Sequence, residues 1–168
     1  MISVQTTPSY DRETVQAAVD RHFDLLDLDR LIPREGKITV KPNLLMKRRP
    51  EDGTTTHPSL VEAVIRRVQK VSNAQITIAD SPGGPFTRAA LEGIYKASGM
   101  EEVARRTGAV LNYDTGSTHV PNPEGELCKA FDLINPIAGA DFIISICKLK
   151  SHCMTGLSGG VKNLFGCI

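Results

Sequence analysis

The stretch from Asp141 to Ile168, DFIISICKLKSHCMTGLSGGVKNLFGCI, restricts the possible folds of this 168-residue chain more than any other. From Phe142 to Cys147 it is apolar apart from Ser145. A short apolar run of this kind reads as a strand buried on both faces of a parallel sheet. The run stops at Lys148, Lys150 and His152, and a glycine-rich segment follows, with Gly156, Gly159 and Gly160 ahead of Lys162 and Asn163. No Asp or Glu occurs after Asp141. A buried strand that ends in positive charge and flexible backbone is the place where an α/β sheet holds an anionic ligand.

The remaining sequence supplies the helices and strands such a sheet needs. Ile2–Thr6 reads as a short first strand. Asp11 caps a helix whose apolar residues Val15, Ala18, Val19, His22, Leu25 and Leu26 recur at helical spacing. Lys37–Lys41 (KITVK) is β-rich and stops at Pro42. Pro58 suits the first position of a second helix with the stripe Leu60, Val61, Val64, Ile65 and Val68. Gln75–Ala79 is a strand that runs into the turn Asp80-Ser81-Pro82-Gly83-Gly84. Thr87 caps a third helix ended by Gly99, and Glu101–Thr107 forms a fourth. Ala109–Tyr113 reads as a strand, residues 115–125 as a surface loop, and Cys128–Leu133 as a strand at an edge or antiparallel. This alternation predicts one α/β domain over residues 1–168: a mostly parallel sheet of about four to five strands with helices on both faces.

In a parallel sheet the carboxyl ends of the strands share one edge. Four polar groups follow predicted strands: Lys41-Pro42-Asn43, Asp80–Gly84, Tyr113-Asp114 and Lys148–His152. They are expected to converge where ligands bind in open α/β sheets. Lys148 and Lys150 fall on one side if the strand continues that far, and two like charges there call for an anion between them. Gly156, Ser158, Gly159, Gly160 and Lys162 have the small residues and the cation of a phosphate-cradling loop, with Asn163 beyond them. The spacing matches neither the P-loop nor G-x-G-x-x-G. Thr56-His57-Pro58 reads either as a helix cap or as an anion site with His57 beside exposed amides. Asp80, directly after a buried strand, needs a lysine, a metal or a substrate hydroxyl as its partner. The expected site is therefore an anion pocket of Lys41, Asn43, Asp80, Lys148, Lys150, His152 and the 156–163 loop with Lys162 and Asn163. His152 or His57 would move a proton, oriented by Asp80.

The run KLKSHCMTGLSGGVKNLFG, together with KPNLL at 41–45, THP at 56–58 and DSPGG at 80–84, resembles the DUF362 family, a prokaryotic family of uncharacterised function often described as iron–sulfur proteins. The resemblance runs from Lys37 to Ile168. It implies that a ferredoxin-like segment with cysteine-rich motifs accompanies this region in many members. Here no C-x-x-C pair exists among Cys128, Cys147, Cys153 and Cys167. An iron–sulfur cluster would then need a further segment or a partner chain. Cys153, beside His152, is the better thiol for a metal, while Cys147 reads as core. Val161–Ile168 looks like an element cut short, as in a fragment of a longer protein, whose exposed apolar surface would drive self-association into a homo-oligomer.

Composition excludes some partners. A net charge of +1 gives no global field toward nucleic acid. No apolar run approaches the roughly 20 residues of a transmembrane helix, and no signal peptide is visible, so the expected setting is the cytoplasm, away from membranes. Three functions fit: an enzyme acting on a small carboxylate or phosphate, a redox module lacking its cluster-bearing half, and a non-catalytic anion-binding protein.

Overall fold

The computed structural model describes residues 1–168. In chain order the elements are α1 (Arg12–Leu26), β1 (Lys37–Pro42), α2 (Pro58–Gln69), β2 (Gln75–Ile78), α3 (Arg88–Ser98), α4 (Met100–Thr107), β3 (Val110–Leu111), β4 (Ser117–Pro121), β5 (Ala130–Ile134), α5 (Asn135–Ala138), β6 (Phe142–Ile146), β7 (Lys150–His152), β8 (Gly156–Ser158) and α6 (Gly160–Asn163). A final 3₁₀ turn spans Leu164–Cys167. The central sheet has four parallel strands in the order β3-β2-β1-β6. The α/β expectation and the four-strand count hold.

Local chemistry accounts for the helix boundaries. The Thr14 amide donates to Asp11 Oδ1 at 2.9 Å, which caps α1. The Ser59 amide donates to His57 Nδ1 at 3.2 Å, and Pro58 occupies the first turn of α2, where its missing N–H costs nothing. Thr87 Oγ1 accepts from the Ala90 amide at the start of α3. Gly99 joins α3 to α4 with φ +79°, and a Cβ there would lie 3.3 Å from Pro58 Cγ. Both facts favour glycine at this joint.

Alternation along the strands divides the sheet into two unlike faces. Ile38 and Val40 of β1, Ile76 and Ile78 of β2 and Ile146 of β6 share one core with side chains from α1, α2, α3 and α4. Glu62 of α2 is buried and accepts from Arg12, Arg66 and Arg106, tying α1 and α4 to α2 by charge-assisted hydrogen bonds. The opposite face carries Thr39, Lys41, Thr77, Ile143 and Ser145. Thr39 Oγ1 donates to Pro136 O of α5 at 2.5 Å. Ile134, Ile137 and Cys167 form a second, small core beside it. Helices lie on both faces, as expected, but the long ones share one face and only short turns cover the other.

Three local expectations are corrected. Ile2–Thr6 forms no strand. Residues 115–125 are not simply a loop: Ser117–Pro121 pairs antiparallel with Ala130–Ile134 in a separate two-stranded ribbon. The central strand ends at Ile146, so Lys148 and Lys150 do not alternate along it. Instead Lys150 opens a β7–β8 hairpin in which it pairs with Ser158.

Candidate functional site

The strand order places a topological switch point between β1 and β6. Chain connections run from β1 through β2 to β3, and the chain then returns to the other side of β1. Ligands in open α/β sheets bind outside the carboxyl ends of strands beside such a point. At this edge Thr56 closes the crevice: its Oγ1 accepts from the Asn43 amide at 2.8 Å and donates to Ile146 O at 2.7 Å. Lys150 reaches back from β7, and its Nζ donates to Asn43 Oδ1 at 2.8 Å and to Thr54 O at 2.7 Å.

Lys41 and Asp80 end β1 and follow β2, and both are buried. Lys41 Nζ donates to Asp80 Oδ1 at 2.5 Å, and the Leu44 amide donates to Asp80 Oδ2 at 2.8 Å. Burial pushes the Asp80 carboxyl above its usual range, and the Lys41 charge and the Leu44 amide act against that rise. Asn163 closes the group from α6. Its Nδ2 donates to Lys41 O at 3.2 Å and Ser145 Oγ at 3.0 Å, while its Oδ1 stands 3.5 Å from Lys41 Nζ. The final turn packs directly on the pair. A Cβ at Gly166 would lie 2.4 Å from Asp80 Oδ1 and 2.7 Å from Lys41 Nζ, so only glycine fits at that approach.

Over this floor lies a cavity of about 290 Å³ lined in part by Asn43, Asp80, Lys41, His152, Lys162 and Phe165. Its only acidic side chain is Asp80, already bonded to Lys41. Lys162 Nζ lies 4.8 Å from the centre of the Phe165 ring. His152 Nδ1 accepts from the Met154 and Thr155 amides at 3.2 and 3.3 Å. In the neutral ring this leaves the proton on Nε2, so His152 is fixed as a donor through that nitrogen. Burial lowers the Lys150 ammonium below the ordinary lysine value; Asp80 opposes the shift, and Lys148 and Lys162 add to it.

Sequence reasoning brings Lys41, Asn43, Asp80, His152, Lys162 and Asn163 to one place, with Lys150 behind Asn43. Other candidates lie elsewhere. His57 lines a different cavity, of about 750 Å³, at the start of α2. Its ring stacks on Tyr10 with centroids 4.0 Å apart. Burial, then the charge of Lys148, holds His57 below its ordinary value. Lys148 Nζ lies 5.7 Å from the centre of the Tyr10 ring and 3.4 Å from its hydroxyl. Gly156–Asn163 does not form a loop of inward amides: Gly156–Ser158 is β8, Ser158 is buried, and Gly159-Gly160 leads into the turn of α6. Asp114 is tied to Asn135 Nδ2 and the Gly116 amide, on the open face of the sheet. Ser81 to Gly83 of the expected Asp80–Gly84 turn also line the cavity. Gly166 and Phe165 line it too, and nothing in the sequence marks the fold-back of the last turn.

The thiols do not fit an iron–sulfur cluster. Cys128 and Cys153 are exposed, Cys153 at the hairpin turn, while Cys147 is half-buried and Cys167 lies in the second core. No three His, Cys, Asp or Glu side chains come together as a metal-ligand set. Nor is any helix long and apolar enough to cross a membrane.

Residues 38–168 match the family model described as a domain of unknown function, DUF362. The chain is similar to the thylakoid-associated protein sll1697 of Synechocystis sp. (strain ATCC 27184 / PCC 6803 / Kazusa). The two are 27% identical over 173 residues, an alignment covering 99% of this chain and 50% of that protein. The chain thus spans about half the length of this curated relative. No solved structure matches it.

Proposed function

The chain belongs to the DUF362 family, and we propose that the cavity above Lys41 and Asp80 binds a small organic anion, a carboxylate or a phosphate, on which the protein acts. One observation carries this reading: a cavity of about 290 Å³ at the carboxyl edge of the sheet is lined by Lys162 and His152, while its single acidic side chain is already bonded to Lys41. An anion entering it meets uncompensated positive charge and loses no favourable contact to Asp80. Leu45, Phe165 and Ile168 supply apolar wall, so an organic ligand with a small carbon skeleton fits better than a bare ion.

Within this proposal the residues take distinct roles. Lys162 is the charge partner of the ligand, and the Lys41–Asp80 pair is the floor that shapes the site. His152 presents Nε2–H, so in a catalytic cycle it hydrogen-bonds a substrate oxygen and stabilises negative charge developing there. Asp80 is committed to Lys41 and Leu44 and is not placed to orient His57.

Calorimetric titration of the chain with sodium phosphate and with a series of small monocarboxylates tests the site. Saturable binding is expected, weakened about tenfold or more by Lys162→Ala, in line with loss of a charge-assisted contact. Absence of heat with every anion, or equal affinity in the variant, refutes the reading. Incubation of the bound anion with the protein, followed by product analysis, separates an enzyme from a non-catalytic binding protein; in the first case His152→Gln abolishes turnover while retaining binding.

A further inference from the structure

Asn43 is held on three sides. Its amide donates to Thr56 Oγ1 at 2.8 Å, and its carbonyl accepts from the Thr56 amide at 2.9 Å. Its side-chain oxygen accepts from Lys150 Nζ at 2.8 Å. An ammonium has only donors, so the Asn43 atom that faces it is Oδ1, and the NH₂ group turns the other way. Lys150 is itself fixed by Thr54 O at 2.7 Å and does not line the cavity, whereas Asn43 does. Nδ2 is then the one polar group of Asn43 without a partner inside the protein.

Two further donors line the same cavity. His152 accepts two amides through Nδ1 and offers Nε2–H. Lys162 Nζ has the Phe165 ring beside it and no carboxylate partner. The three donors come from separate elements: the loop after β1, the β7–β8 hairpin and α6. The acidic side chain is already occupied, with Asp80 Oδ1 accepting from Lys41 and Oδ2 from the Leu44 amide. Free donors on three walls suit a ligand group made only of acceptors. A carboxylate offers two oxygens in one plane and a single charge. A phosphoryl group offers three oxygens in different directions and about two charges.

We propose that Lys150 is a positioning residue that turns the Asn43 amide into the cavity, and that Asn43 Nδ2, His152 Nε2 and Lys162 Nζ together select a phosphoryl dianion over a carboxylate on the same small carbon skeleton. The inference rests on the anion-binding reading of this cavity and narrows its ligand class. Lys150 acts through Asn43: without the ammonium, the amide is free to turn its oxygen inward, where an acceptor opposes an anion.

Calorimetric titrations of the chain with isopropylphosphonate and isobutyrate, at a pH where both are fully ionised, test it. The parent is expected to bind the phosphonate about tenfold more tightly than the carboxylate. Asn43→Leu, which keeps every charge, loses most of that preference, and so does Lys150→Met. Lys150→Arg still donates to Asn43 Oδ1 and keeps it. In the Asn43→Leu background, Lys150→Met changes the preference no further, because the lysine has no amide left to turn. A lysine acting by charge alone would lower the preference in both backgrounds. Equal affinity of the parent for the two anions, an unchanged preference in Asn43→Leu, or additive effects of the two substitutions overturns the inference and leaves the anion site standing. Should Lys150→Met fail to fold, loss of preference in Asn43→Leu with retention in Lys150→Arg supports the inference, and any other pair of results overturns it. Binding of neither anion by the parent overturns both this inference and the anion-binding reading.

Discussion

Replacing Asp80 by Asn tests the Lys41–Asp80 pair most directly. Asparagine keeps the shape of the side chain and an oxygen for the Leu44 amide, and removes the charge opposite Lys41. Lys41 is fully buried, with a 2.5 Å contact to Asp80 and only long contacts, 3.4 Å to Pro42 O and 3.5 Å to Asn163 Oδ1, to fall back on. Breaking one side of a buried pair typically costs about 3–5 kcal/mol, because a charge is left without a partner in a medium that solvates it poorly. Lys41→Met is expected to cost a similar amount by stranding the carboxylate. The double variant Lys41→Met/Asp80→Asn removes both charges and retains the acceptor for Leu44, so its cost should be no more than about 2 kcal/mol. The two sites are therefore coupled by roughly 4 kcal/mol or more, well above the scatter of independent sites. Urea unfolding followed by far-ultraviolet circular dichroism measures all four corners of the cycle. A domain with the usual margin of about 5–15 kcal/mol retains a measurable transition in most corners. A double variant that folds where a single one does not gives the same answer. Simple additivity of the two single costs refutes the argument that these groups stabilise each other.

Two further outcomes follow from the same geometry. Gly166→Ala forces a methyl group against Asp80 Oδ1 and Lys41 Nζ and is expected to destabilise by about 1–3 kcal/mol, the cost of overpacking, in the same urea assay; an unchanged midpoint contradicts the packing of the last turn on the pair. His57 accepts the Ser59 amide through Nδ1, and its folded value is lowered below the ordinary 6.5, first by burial and then by Lys148. The unfolded chain therefore takes up this proton first as pH falls. The stability contributed by the neutral ring is present above pH 6.5 and is lost as pH drops through 6.5 toward the lower folded value. Thermal melts across that window should show the loss in the parent and not in His57→Asn, which retains a capping oxygen without titrating.

Much of this arrangement was legible because it depends on neighbouring residues. The apolar periodicity of α1, α2 and α3, the caps at Asp11 and Thr87, and the β-rich KITVK and QITI runs follow from local stereochemistry. The need of Asp80 for a partner was also legible, since a carboxylate after a buried strand is costly alone. What the chain does not encode locally is which strand lies next to which. Ser117–Pro121 is polar and carries loop residues, and it becomes a strand only because Ala130–Ile134 pairs with it. His57 and Asp80 follow successive strands of one sheet, yet α2 carries the imidazole to another cavity. Lys148 and Lys150 part company because the chain leaves the sheet at Ile146, a departure that the lysines themselves do not signal.

The unlike faces of β1 give the buried charge a second consequence, in the assembly of the sheet. Lys37 to Val40 align with Gln75 to Ile78, and this alignment carries Lys41 and Asp80 to their meeting point. A slip by one residue would exchange Ile38 and Val40 for Thr39 and Lys41 and drive an ammonium into the apolar layer against α2. Greasy residues alone tolerate near-misses in strand alignment. A lysine that finds its carboxylate in one register only acts as a proofreader of folding, so the residues that floor the cavity also reject the misaligned sheets in which no cavity would form.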